Sequence, residues 1–146
     1  MTSMLDLQGY SSETTPEQVI LLVEDDVDIG EFITISIESE TPYRVLSMNS
    51  GEETIQRIQE VKEVRPNLFI LDLWLHAMGA IELYDRLHGL AGFKHVPAII
   101  ITASTPDLGT EAEIVERGIK LLPKPFEVED FLRCVEQAIE RNLQIL

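Results

Sequence analysis

The 146 residues contain one cysteine, Cys134, so no disulfide framework can form and a reducing cytoplasm is the expected home. No apolar run approaches the ~18 residues of a membrane span. Met1 to Glu17 has no basic segment followed by an apolar stretch, so it does not read as a signal peptide. It is rich in Ser and Thr with few apolar residues after Leu7, the composition of a disordered leader covering residues 1–17. Internal repeats and low-complexity segments are absent. Basic residues are scarce: 11 Lys and Arg against 26 Asp and Glu give a formal net charge of −15. A surface that negative repels phosphate backbones and anionic lipid, so this chain alone is expected to bind neither nucleic acid nor membrane. The acids are scattered, as on a solvated surface, and do not form a tail.

From Gln18 onward, residues 18–146 read as one domain. Val19-Ile20-Leu21-Leu22-Val23 is a short, wholly apolar run, the pattern of a strand buried on both faces. Val27 to Glu38 has helical spacing, with Ile29, Phe32, Ile33 and Ile37 on one stripe. Tyr43 to Ser47 alternates weakly as a second strand. Ser50-Gly51-Glu52-Glu53 is a capping box that opens a helix through Ile55, Ile58 and Val61. Leu68-Phe69-Ile70-Leu71 is a third strand ending at Asp72, and a short helix spans Ile81 to Leu87. Pro97 to Ile101 is a fourth strand ending at Thr102. Thr105-Pro106 is expected to open the next helix with proline near its first position, Leu108, Ala112 and Val115 forming its apolar stripe and Gly118 just past its end. Lys120-Leu121-Leu122-Pro123 is a brief fifth strand, and a last helix runs from Glu127. Five βα units with apolar strands imply an α/β, doubly wound fold: a parallel sheet with helices on both faces.

In such sheets ligands bind at the carboxyl ends of the strands, where strand order reverses. The residues there are Glu24-Asp25, Asp72, Thr102 and Lys124. Three carboxylates at one sheet edge repel one another unless a hard divalent cation sits among them. Magnesium suits oxygen-only donors, and the lack of His or Cys in the set argues against zinc. Lys124 adds a positive charge and Thr102 a hydroxyl, the donors that stabilise a phosphoryl group in transfer. An Asp can itself be the nucleophile and form an aspartyl phosphate.

Val23-Glu24-Asp25-Asp26, Leu71-Asp72-Leu73, Ile101-Thr102-Ala103 and Lys124-Pro125-Phe126 resemble the motifs of the two-component response regulator receiver domain, a likeness covering about residues 18–142. The resemblance implies a flavodoxin-like (βα)5 fold of strand order 2-1-3-4-5. It implies that Asp72 is the phosphoacceptor, that Asp25 and Asp72 ligate Mg²⁺ together with the main-chain carbonyl of Trp74, and that Glu24 holds a metal-bound water. Thr102 and Lys124 would bind the phosphoryl oxygens, and the Lys124–Pro125 peptide would be cis. The expected donor is a sensor histidine kinase or phosphotransfer protein. No DNA-binding or catalytic segment follows Leu146 in this sequence, so output through contacts with a downstream protein target is expected; a receiver excised from a larger regulator or hybrid kinase is an equal alternative.

Three features depart from the family pattern. The segment after the acceptor is Leu75-His76-Ala77-Met78-Gly79-Ala80, without the usual proline and Asp-Gly. Leu121 stands where the family carries an aromatic switch residue, and the stretch from Gly118 to Lys124 is one residue short. These motivate an alternative, a receiver-like docking module with weakened or absent phospho-switching. A third reading, an aspartyl-phosphate phosphohydrolase, is disfavoured because Trp74 occupies the position of that chemistry's second Asp. The chain is thus expected to be a regulatory phosphoacceptor that assists its own phosphorylation and autodephosphorylation, not an enzyme. His76 reads as a solvent-exposed loop residue, Trp74 as a partly exposed lid, and Cys134 as an inert, partly buried thiol. Leu143, Ile145 and Leu146 prolong the apolar side of the last helix, which either frays or forms a homodimer contact; the dimer is the favoured reading.

Overall fold

The computed structural model describes residues 18–145, with the side chains of 142–145 left aside; the leader and the apolar C-terminal end therefore lie outside the described residues or side chains. Five strands, β1 (Val19–Val23), β2 (Arg44–Met48), β3 (Leu68–Asp72), β4 (Ala98–Thr102) and β5 (Lys120–Pro123), form one sheet. All pairs are parallel, in the order β2-β1-β3-β4-β5. The helices are α1 (Val27–Glu40), α2 (Gly51–Gln56), α3 (Ile58–Val64), α4 (Ala80–His88), α5 (Leu108–Glu116) and α6 (Val128–Ile145).

Successive strand side chains point to opposite faces, and this alternation divides the core. Leu21, Val23, Phe69, Leu71 and Ile100 join Val61, Leu83, Leu87 and Ile114 in one cluster. Ile20, Leu22, Ile70, Ile99 and Ile101 join Ile33, Ile37, Phe131, Val135 and Ile139 in the other. Helices therefore cover both faces, and each fully buried Leu, Ile or Phe contributes about 1.5–3 kcal/mol. The central strands are continuously apolar because neither of their faces meets water. Cys134 is buried in the second cluster, and burial holds its thiol above the usual range.

Local expectations are corrected in four places. The helix opened by Ser50 breaks at Arg57 into α2 and α3. Its capping box differs slightly from the ideal: Ser50 accepts the Glu53 N–H at 3.0 Å, but the Glu53 carboxylate accepts from Asn49, one residue before the cap. On α1, Ile33 and Ile37 are buried, whereas Phe32 is half exposed. The helix expected from Thr105-Pro106 starts at Leu108, because Asp107 is the cap and accepts the Thr110 N–H at 2.7 Å. Finally, the expected stripe of α5 faces outward: Leu108 and Val115 are 84 % and 70 % exposed, and Ile114 alone is buried. Gly118 follows α5 with φ +70, the left-handed conformation that favours glycine after a helix.

Candidate functional site

β1 and β3 are neighbours, yet their crossovers lead to opposite sides of the sheet, so a crevice opens at their carboxyl ends. Glu24 and Asp25 follow β1, and Asp72 closes β3. One carboxylate oxygen from each of the three lies within 4.8 Å of the others. Asp26, the third acid of the run, does separate work as the cap of α1, accepting the Ile29 N–H at 3.0 Å. Only Asp26 serves the helix in this way; the other two acids turn into the crevice.

Glu24 and Asp72 are only 2 % and 6 % exposed, and buried carboxylates require partners. Lys124, just beyond β5, supplies one: its Nζ lies 3.1 Å from Glu24 Oε1 and 3.4 Å from Asp72 Oδ2. Burial, and a hydrogen bond shared with Asp72, push the Glu24 carboxyl up to about 7 despite the lysine. Burial disfavours the Lys124 ammonium, but the bond to Glu24 and the charge of Asp72 outweigh it and hold this group above its ordinary value. The pocket is thus over-supplied with negative charge. Its donors are oxygens, as a hard cation such as magnesium requires, so the residues fit the metal.

Two loops flank the acids. Asp72 Oδ1 accepts the Trp74 N–H at 3.0 Å. The Trp74 ring is half exposed, and its indole N–H donates to Ser104 Oγ at 2.9 Å. Thr102 is buried at the end of β4, but its hydroxyl is engaged away from the acids: it donates to the Ser104 carbonyl at 2.6 Å and accepts the Ser104 N–H at 3.2 Å. The Thr102 carbonyl accepts the Lys124 N–H at 2.7 Å. The structure therefore brings Glu24, Asp25, Asp72 and Lys124 together and leaves the Thr102 hydroxyl bound to its own loop. Beside it, a cavity of about 230 Å³ is lined by Thr102, Ser104, Pro106, Leu121 and Lys124. The Lys124–Pro125 peptide is cis, as expected.

Sequence reasoning did not anticipate Ser104 or Glu52. The Glu52 carboxylate accepts the Met78 N–H at 3.0 Å and ties the loop after Asp72 to α2. Met78 also lies against Gly51, where a Cβ would stand 3.0 Å from the Met78 side chain. Ala77, in the atypical loop, adopts φ +60, a conformation costly for a residue with a Cβ. His76 is exposed, its Nε2 3.6 Å from Asp25 Oδ2, and it does not join the carboxylate cluster.

The family model of the response regulator receiver domain matches residues 20–136. The chain belongs to this family. Among similar proteins, the DNA-binding response regulator MtrA of Mycobacterium bovis is 29 % identical over 128 residues, 88 % of this chain and 53 % of that protein. The transcriptional regulatory protein KdpE of Mycobacterium tuberculosis is 28 % identical over 125 residues, 85 % and 52 % respectively. The receiver domain thus spans about half the length of these relatives. A CheY-like receiver domain protein from Methanospirillum hungatei superposes with a TM-score of 0.78 at 21 % identity, over 89 % of this chain and 99 % of that one. The signal receiver domain of an HD domain-containing protein from Pseudomonas fluorescens gives 0.75 at 24 %, over 88 % and 98 %. These likenesses agree with the flavodoxin-like order 2-1-3-4-5. Among the described residues no helix is long and apolar enough to cross a membrane.

Proposed function

We propose that this receiver domain, residues 18–146, is a cytoplasmic switch of a two-component phosphorelay in which Asp72 accepts a phosphoryl group from a partner histidine kinase or phosphotransfer protein. The observation that carries the reading is the triangle of buried Glu24, half-buried Asp25 and buried Asp72, with Lys124 bonded to two of its members. An arrangement so rich in charge is costly as mere structure, but it suits a site whose occupants are a cation and a phosphoryl group. Asp25, Asp72 and the Trp74 carbonyl would hold Mg²⁺, with Glu24 retaining a bound water; the metal would supply charge neutralisation for an incoming anionic phosphoryl group.

Asp72 attacks the phosphorus through one carboxylate oxygen, an acyl phosphate forms, and the bond to the donor breaks. Lys124, freed from part of its pairing with Asp72, then binds a phosphoryl oxygen. The Thr102 hydroxyl must leave the Ser104 carbonyl to do the same, and this exchange is the two-state step by which modification reaches the surface. In the return step, autodephosphorylation, water attacks the phosphorus, the bond to the Asp72 carboxylate breaks and inorganic phosphate leaves, assisted by the same residues. Output passes to a downstream protein target. The test is incubation with acetyl phosphate and Mg²⁺ followed by intact-mass measurement: one phosphoryl adduct is expected, absent without the metal and absent in Asp72→Asn. No adduct in the native protein from acetyl phosphate or from a phosphorylated histidine kinase rejects the reading.

A second reading, a docking module in which phosphorylation is not transmitted, draws on Leu121 and on the engagement of Thr102 with Ser104. It is distinguished by Trp74 fluorescence, which in the docking module would not change between the metal-bound and phosphorylated forms. Multiple turnovers of a phosphoester per protein would instead indicate a hydrolase.

A further inference from the structure

Far from the acid crevice, at the amino end of β4 and β5, the charge of the molecule reverses. Ala98 and Thr102 are opposite ends of β4, which places the two regions about 13 Å apart along the strand. A cavity of about 290 Å³ opens there between the ends of α4, α5 and α6, and no Asp or Glu lines it. Four of the eleven Lys and Arg residues of this acidic chain do: Lys94, Arg117, Lys120 and Arg141. His88 and His95, two of the three histidines, also lie on its wall.

Helix dipoles account for part of this. The carboxyl ends of helices attract cations, and Arg117 caps α5 while His88 lies in the last turn of α4. Arg117 is also committed, its guanidinium forking onto Asp85 at 2.8 and 2.9 Å, and His88 is bonded to the Val96 carbonyl at 2.8 Å. Lys94, Lys120 and Arg141 have no such explanation. They come from the loop before β4, the first residue of β5 and the outer part of α6, and among the described residues none of them forms an ion pair. Lys120, Ala138 and Arg141 continue into an adjoining cavity of about 390 Å³, whose wall carries one acid, Glu140. Three separate elements thus aim uncommitted cations at one concave surface, on a protein whose remaining surface repels anions.

We infer that this cavity is a binding site for a small phosphorylated molecule, one carrying at least two negative charges. Its concavity and volume suit a small molecule better than a flat protein interface. Two ammonium groups and a guanidinium arriving from different directions match the several oxygens of a phosphate group. The site is independent of Asp72 and of its modification.

The test is an NMR titration of the full chain with pyrophosphate in magnesium-free, low-salt buffer. Saturable shifts are expected at the amides of Gly118, Ile119, Lys120 and Ala138, without matching shifts at Glu24 and Asp72. Lys120→Gln combined with Arg141→Gln should weaken binding by at least about tenfold, since two charge-assisted contacts are lost. Lys62→Gln, which removes a charge from α3, should leave binding unchanged. Because all these side chains are exposed, the variants should melt like the native protein, so a loss of binding reports the site itself. Shifts that do not saturate, shifts centred on Lys124 and the acid crevice, or equal weakening by Lys62→Gln would overturn the inference.

Discussion

Replacing Asp72 with Asn should stabilise the metal-free protein while greatly weakening its response to Mg²⁺. The carboxylate oxygens of Glu24, Asp25 and Asp72 lie within 4.8 Å of one another. At an effective dielectric of about 20, each fully ionised pair at that separation repels by about 3.5 kcal/mol. Asp72 takes part in two such pairs. It also gains about 5 kcal/mol at the same dielectric from Lys124 at 3.4 Å. With all three acids ionised, the repulsion removed exceeds the attraction lost by about 2 kcal/mol. The uncharged amide is also cheaper to bury than the carboxylate.

The margin depends on pH through Glu24, whose carboxyl is raised from 4.5 to about 7. Between those values the folded chain holds a proton that the unfolded chain has released. Stability therefore falls as pH rises toward and through 7, and the repulsion relieved by Asp72→Asn grows over the same interval. Denaturant melts without metal should show the variant more stable at about pH 8, with the difference shrinking toward pH 6. Adding Mg²⁺ at ten times its dissociation constant should stabilise the native protein by about 1.4 kcal/mol and the variant by much less. A variant less stable than the native chain at alkaline pH, or one that Mg²⁺ stabilises equally, would refute the premise that these acids repel one another across a cation site.

Ser104→Ala removes the acceptor of the Trp74 indole N–H; because the ring is half exposed, the stability loss should stay within about 1 kcal/mol, while the emission maximum of this sole tryptophan shifts. An unchanged spectrum would mean that the bond does not persist in solution. Ile114→Ala should cost about 2–5 kcal/mol and speed amide exchange in α5, whereas Leu108→Ala and Val115→Ala should cost almost nothing, the reverse of what their spacing suggests. His88 packs against Tyr84 with ring centroids 4.0 Å apart, and burial holds its imidazole below the ordinary 6.5. The unfolded chain therefore takes up this proton at a higher pH than the folded one, so the contribution of His88 to stability is lost as pH falls below 6.5. His88→Gln keeps an N–H donor for Val96 and should be relatively less destabilised by acid than the native protein; parallel pH-melting curves for the two would contradict this.

The fold was legible in the strands because burial on both faces leaves an unmistakable trace: Val19–Val23, Leu68–Leu71 and Ala98–Ile101 contain no polar residue. α5 was harder. Leu108, Ala112 and Val115 are spaced as a helical stripe should be, yet Ile114 points elsewhere around the same helix. Over nine residues with apolar groups on two sides, spacing establishes a helix but does not say which side meets the sheet. Proline 106 was similarly ambiguous. Its ring suits a helix start, but the Asp107 carboxylate one residue later satisfies the free N–H of Thr110, and the helix begins from that cap.

The acid crevice follows from topology, which explains why its charged members could be read in advance and its hydroxyl could not. Once β1, β3 and β5 are parallel, the residues just beyond their apolar runs must emerge at one edge of the sheet, and the identities Glu24, Asp25, Asp72 and Lys124 then determine the chemistry. The direction of the Thr102 hydroxyl is a different kind of quantity. It depends on one side-chain rotation, settled by whether the Ser104 backbone or the crevice offers the better partner, an energy difference of about one hydrogen bond. A preference that small is invisible in sequence patterning, and for the same reason it is easily reversed when a new acceptor arrives. If Asp72 becomes phosphorylated, the contact between Thr102 and Ser104 that the strands did not foretell is the one expected to change.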